Sequence, residues 1–127
     1  MIIYTSYFAN LKNLPENVVP ISICGKAPSW YKGLQYKKLA PKYQFFMEWK
    51  ENKDNNFYIE HFKAEVLDSL NIENVIKELL KLIGDETKTI CLVCYEKPTD
   101  FCHRHLVADW LNNLSNVCCK EFIKENS

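Results

Sequence analysis

The stretch "KTICLVCYEKPTDFCHRHLVADW", residues 88–110, decides the fold. Its first eight residues are almost continuously apolar, as a central parallel strand buried on both faces must be. Its last eleven place Leu106, Val107 and Trp110 on one face of a helix, and Leu111 and Leu114 continue that face. Strand, short polar loop and helix in that order mark one unit of an α/β domain.

The same alternation runs outward in both directions. "MIIYTSYF" (1–8) and "NVVPISIC" (17–24) read as strands, and Pro20 suggests an early or edge position for the second. Residues 25–41 form a long irregular segment with Trp30, Tyr31 and Tyr36, and such loops tend to carry function. Helical patterns follow at 42–52, at 56–71 with Tyr58, Phe62, Val66 and Leu70 four apart, and at 72–84, which ends on Gly84 as a C-cap. "NVCCKEFI" (116–123) reads as a last strand. The reading is one domain over 1–127, a compact Rossmann-like three-layer α/β fold with a mostly parallel sheet.

Composition narrows the function classes. The chain is 47% hydrophobic and its 16 basic and 16 acidic residues cancel. That balance argues against a binder of nucleic acid or membrane surface driven by bulk charge, and leaves room for a local positive pocket. No apolar run approaches the roughly 20 residues that span a bilayer, and the first residues lack a signal-peptide pattern. The expectation is a cytoplasmic protein with no membrane partner, whose six cysteines are thiols rather than disulfides. Cys24, Cys91 and Cys118 fall in apolar runs and read as small hydrophobes. Gly25, Gly33 and Gly84 are the only glycines, so no glycine-rich phosphate loop can be built.

The chemistry concentrates between the strand and the helix at 94–105. Two cysteines, Glu96, two of the three histidines and Arg104, the only arginine, share twelve positions. Ligands in parallel sheets bind outside the carboxyl ends of strands, where this loop lies. Asp100 reads as the helix N-cap, which puts Cys102 and His103 in a first turn of positive potential and lowers the Cys102 pKa. Arg104 offers a planar fork for phosphate or carboxylate. Glu96 reads as a general base or as the residue that orients Arg104.

Plainer readings stand beside these. His103 lies on the face of Val107, Trp110 and Leu114 and would serve equally as a hydrogen-bonded core histidine. Glu96 and Arg104 would serve as a structural ion pair, and Cys102 as an inert buried thiol. Cys91 and Cys94 spell CxxC, but an odd separation on a strand sends them to opposite faces. A metal held by Cys94, Cys102 and His103 would join strand end to helix start, yet it lacks an obvious fourth protein ligand, so no metal is assigned. Cys118 and Cys119 read as one in, one out. Lys37 and Lys38, near Trp30 and Tyr31, would serve as a phosphate or base contact, but with neutral net charge they read better as a solvated loop. Ser6, just past the first strand, would reach the same sheet edge.

The run "CLVCYEKPTDFCHRHLVADWL", with its Cys-x-Glu, short loop and Cys-His-Arg, resembles domain-of-unknown-function family 488. "IYTSYFANL", "SICGKAPSWYKGLQYKKLAPK" and "FYIEHFKAEVL" resemble a short-chain branch of it. The resemblance implies a Rossmann-like domain in a bacterium, archaeon or phage. The shared polar residues would be Cys94, Glu96, Cys102, His103 and Arg104, with Tyr58 from the middle helix, and the shared loop residues Pro28, Trp30 and Pro41. It implies no settled reaction. Longer members carry a "GHS"-like turn where this chain has Ser6-Tyr7-Phe8.

The leading functional expectation is an enzyme of hydrolase or glycosyl-transfer type, acting on a phosphate-bearing substrate such as a nucleotide or nucleic acid. Glu96, Cys102, His103 and Arg104 would be its catalytic set. Ser6, Trp30, Tyr58 and Cys94 would bind substrate. A non-catalytic module binding a nucleotide, another anionic small molecule or a metal is the second reading. A structural polar cluster in an interaction protein is the third. The cofactor and the oligomeric state are not specified by the sequence.

Overall fold

The computed structural model describes residues 1–124. Five strands form one parallel sheet: β1 (Ile2–Tyr7), β2 (Val18–Ser22), β3 (Leu34–Gln35), β4 (Thr89–Cys94) and β5 (Cys118–Glu121), in the order β3-β2-β4-β1-β5. The helices are α1 (Tyr43–Asn52), α2 (Asn55–Glu65), α3 (Ile72–Ile83) and α4 (His103–Leu111). The expected α/β fold with a parallel sheet is the one observed. No helix among the described residues is long and apolar enough to cross a membrane.

β4 lies at the centre because its sequence is apolar on both sides, and five of its six residues are buried. Ile90 and Leu92 face one core with Ile3, Ile21 and Ile23, under Phe62, Val75, Leu79, Val107 and Leu111 from the helices. Cys91 and Val93 face a second, smaller core under Phe8 and Tyr31. Among the described residues that second face carries no α-helix. The 3-10 turn Phe8–Asn13 and the aromatic loop after β2 cover it, so the third layer is thin. The connection from β1 to β2 crosses that face, and α4 carries β4 to β5 across the other. Neighbouring strands β1 and β4 thus send their chains opposite ways, which opens a crevice at their carboxyl ends.

Local signals explain most element ends. Asp54 accepts the Asn56 and Phe57 amides at the start of α2, and Asn71 accepts the Asn74 amide at the start of α3. Gly84 ends α3 in the left-handed region at φ 62°, where a Cβ would be strained.

Three boundaries differ from expectation. The helix read over 56–71 stops at Glu65 and continues as a 3-10 turn, Leu67–Ser69, with the Ser69 hydroxyl on the Val66 carbonyl at 2.7 Å. A short strand, β3, interrupts the irregular segment. It pairs with β2 only at Ile21 and Ser22, so β2 is second from the edge and Pro20 lies beyond the reach of β3. The third difference is the start of α4, which shapes the site.

Candidate functional site

α4 begins at His103, and its N-cap is Cys102, not Asp100. Cys102 is extended (φ −153°, ψ 143°) and offers no side-chain cap. Its side chain instead turns back to the end of β4, where it forms a disulfide with Cys94. The expectation of six free thiols is corrected here: Cys24, Cys91, Cys118 and Cys119 are free, and Cys94 and Cys102 are joined. Phe101, just before the cap, packs on Trp49 and Tyr58, which anchors this entry into the helix.

Arg104 is fully buried. Its Nε and Nη2 donate to the two carboxylate oxygens of Glu121 at 3.1 and 3.0 Å. Its Nη1 donates to the Glu96 carbonyl at 2.6 Å and to Cys94 Sγ at 3.1 Å. Thr5 donates a further hydroxyl bond, 2.7 Å, to Glu121, and the Tyr7 ring lies 5.8 Å from the guanidinium carbon. The fork therefore meets its anion inside the chain and has no face open to a substrate. The expected Glu96–Arg104 contact exists, but through the Glu96 backbone; its carboxylate is exposed at the crevice. Glu121 was not read as functional. An acidic residue at the end of a last strand gives no local signal for a partner 17 positions back.

His103 is buried and sits between two groups. Its Nε2 donates to the Ile23 carbonyl at 2.8 Å, and its Nδ1 lies 3.9 Å from Cys102 Sγ. Burial lowers its pKa to about 4, and the nearby Arg104 charge acts in the same direction. The ring is thus neutral near pH 7, with its proton on Nε2 and an Nδ1 lone pair facing the sulfurs. The contacts of a hydrogen-bonded core histidine are present, since its ring also packs on Phe62.

These groups line a cleft of about 740 Å³. Tyr58 and Phe101 lie inside it, and Tyr43, Phe46, Trp49 and Tyr95 form its walls and rim. Lys26 and Lys50 bring positive charge, and Cys24, Cys94, Cys102, His103 and Glu96 close the end near the sheet. The Tyr95 hydroxyl bonds the Lys26 carbonyl at 2.7 Å, tying the loops after β4 and β2 together. Tyr58 is 2% exposed, and burial pushes its phenol well above the usual range. Its hydroxyl makes no hydrogen bond among the described residues. Cys24, at the same end, is pushed up to about 11 by burial, so it is a thiol rather than a thiolate.

Of the expected site residues, Glu96, Cys94, Cys102, His103 and Tyr58 meet at this cleft. Trp30 and Ser6 do not. Trp30 is 60% exposed against Phe8 and Tyr31 on the other face of the sheet. Ser6 is fully buried and accepts a bond from Asn10 at 3.0 Å, so it braces the turn after β1. Lys38 pairs with Glu78 at 2.9 Å, away from the cleft. The cleft aromatics of α1 were missed because "YQFFMEWK" reads equally well as a helix packing on a core.

No curated protein and no solved structure shows a significant match to this chain. The family model DUF488-N3a, described as the active DUF488-N3 subclade, matches residues 6–115. That span holds the end of β1, β2 to β4, the four helices α1 to α4 and every cleft residue. The chain belongs to the DUF488 family, in its DUF488-N3a subclade.

Proposed function

We propose that the cleft is an active site that acts on a nucleotide or a nucleotide-like unit of nucleic acid, by hydrolysis or glycosyl transfer. One observation carries the reading. An open, aromatic cleft at the crevice of the sheet brings a carboxylate, a neutral histidine and two lysines to one ligand-sized space. Flat aromatic walls suit a stacked base. Lys26 and Lys50 suit a phosphate, the part first given to Arg104. The family's description as an active subclade favours catalysis over binding alone.

In this reading Glu96 is the general acid/base, because its carboxylate is free and faces the cleft. Tyr58 donates its unpaired hydroxyl to the substrate. His103 positions the sulfur end through its bond to Ile23 and offers Nδ1 as a proton acceptor. Arg104 is a positioning residue: it holds the loop at Glu96 and touches no substrate. The buried Arg104–Glu121 pair by itself fits the structural-cluster reading, but Glu96 and the cleft lie outside that pair.

The test is product analysis. Nucleoside monophosphates and short single strands are incubated with wild type and with Glu96→Gln. Release of free base or of phosphate by wild type, lowered about a hundredfold or more in the variant, supports the reading. Equal turnover in both proteins would remove Glu96 from the mechanism.

A further inference from the structure

Three ligand atoms converge at the sheet end of the cleft. Cys94 Sγ, Cys102 Sγ and a His103 ring nitrogen lie within 4.8 Å of one another. We infer that, with the two cysteines reduced, they form a Cys2His site for a borderline transition-metal ion such as Zn²⁺, with the cleft supplying its open position.

Four features of the arrangement carry this. The residue types are those that bind zinc through sulfur and nitrogen. The His103 Nε2–H is committed to the Ile23 carbonyl, because a carbonyl can only accept. That fixes the tautomer and leaves the Nδ1 lone pair on the side of the sulfurs, the outer-shell pattern of metal-bound histidines. Arg104 Nη1 donates to Cys94 Sγ, so a thiolate there meets a guanidinium it can bond to. The fourth direction opens into the cleft, whose lining includes all three residues. Three protein ligands and an open position are the arrangement of catalytic rather than structural zinc. The missing fourth protein ligand is then a property of the site, not a defect.

The disulfide is the oxidised form of the same ligand set. A phosphine reductant returns both cysteines to thiols and is itself oxidised to the phosphine oxide, two electrons passing to the sulfurs while water supplies the oxide's oxygen and the two thiol protons. On binding, the metal takes the place of the two thiol protons, which go to solvent. The assignment does not rest on the nucleotide reading, since metal binding is read without substrate.

The experiment is an anaerobic titration of the phosphine-reduced full chain with Co²⁺, read by thiolate-to-cobalt charge-transfer absorption. One ion per chain, a charge-transfer band, and its loss on adding Zn²⁺ are expected. Cys94→Ser and Cys102→Ser should each abolish the band at stoichiometric metal, and Cys24→Ser should retain it. Circular dichroism shows which variants fold, and either of the two ligand variants suffices if the other does not. No band in the reduced wild type, or a band that survives both ligand substitutions, overturns the site. Failure to turn over nucleotides would leave this result unchanged, so the two proposals fail separately.

Discussion

Arg104 and Glu121 form a two-bond pair across α4 and β5, with the guanidinium fully buried and the carboxylate side chain 18% exposed. The pair joins three strands. Glu121 on β5 also receives the hydroxyl of Thr5 on β1, and Arg104 reaches the carbonyl of Glu96 just after β4. The single arginine of the chain is thus spent on holding the carboxyl ends of β4, β1 and β5 at fixed spacing. Lysine could not reproduce this, because it has no planar fork.

Removing the guanidinium leaves a partly buried carboxylate without its partner. Arg104→Ala should cost about 3–5 kcal/mol of stability, and Arg104→Lys should recover only part of it. Denaturant unfolding of Arg104→Ala, Glu121→Gln and the double variant measures the coupling. The double variant should lose clearly less than the sum of the singles.

His103 makes stability depend on pH. Its folded pKa, about 4, lies below the usual 6.5, so between those values the unfolded chain binds more protons than the folded one. Stability from this group is therefore full above about pH 6.5 and falls as pH drops toward 4, by roughly 3 kcal/mol in total. Unfolding curves across pH 4–7 should show the fall, and His103→Gln should flatten it.

The cysteines should separate into three classes by alkylation. Cys118 is exposed and should label in the native, unreduced protein. Cys91 and Cys119 are buried away from the cleft and Cys24 lines it, but desolvation pushes their thiols up to about 12, 12 and 11, so all three stay protonated near pH 7 and should label fast only on unfolding. Cys94 and Cys102 should label after reduction alone, because they line the cleft. Mass spectrometry locates each adduct. Labelling of Cys102 without reduction would contradict the disulfide.

Tyr58 distinguishes a binding residue from a packing one. Its ring stacks on Phe62 and meets Phe45, Trp49 and Phe101 edge-on or nearly so, and Phe keeps all of that. Tyr58→Phe should leave the unfolding midpoint unchanged or raise stability by about 1 kcal/mol, since an unpaired hydroxyl leaves a buried site. Nucleotide affinity should fall severalfold.

Much of this was legible in the chain because local pattern governs it. The apolar run at β4, the period of α3 with Gly84 after it, and the strand–loop–helix around Glu96 each announce themselves within a dozen residues. The placement of Cys94, Glu96, Cys102 and His103 in one crevice follows from parallel topology alone. What was not legible depends on distant partners. Asp100 looks like an N-cap by residue type, but the Cys102 link to Cys94 and the seating of Phe101 move the helix start by two residues. Arg104 looks like an anion clamp until Glu121 arrives from another strand. Trp30 and Ser6 fall near the right strands in sequence, yet the loop after β2 carries Trp30 to the opposite face, and Ser6 is turned inward to Asn10.

The most direct test of the cleft as a nucleotide site uses the one tryptophan that lines it. Replacing Trp30 and Trp110 by Phe leaves Trp49 as the sole indole emitter, at the cleft wall. Titration with nucleoside monophosphates should then give a saturable change in Trp49 fluorescence at micromolar to millimolar ligand, weakened by Lys26→Ala or Lys50→Ala. A folded protein whose Trp49 emission is unmoved across that range would contradict the central claim.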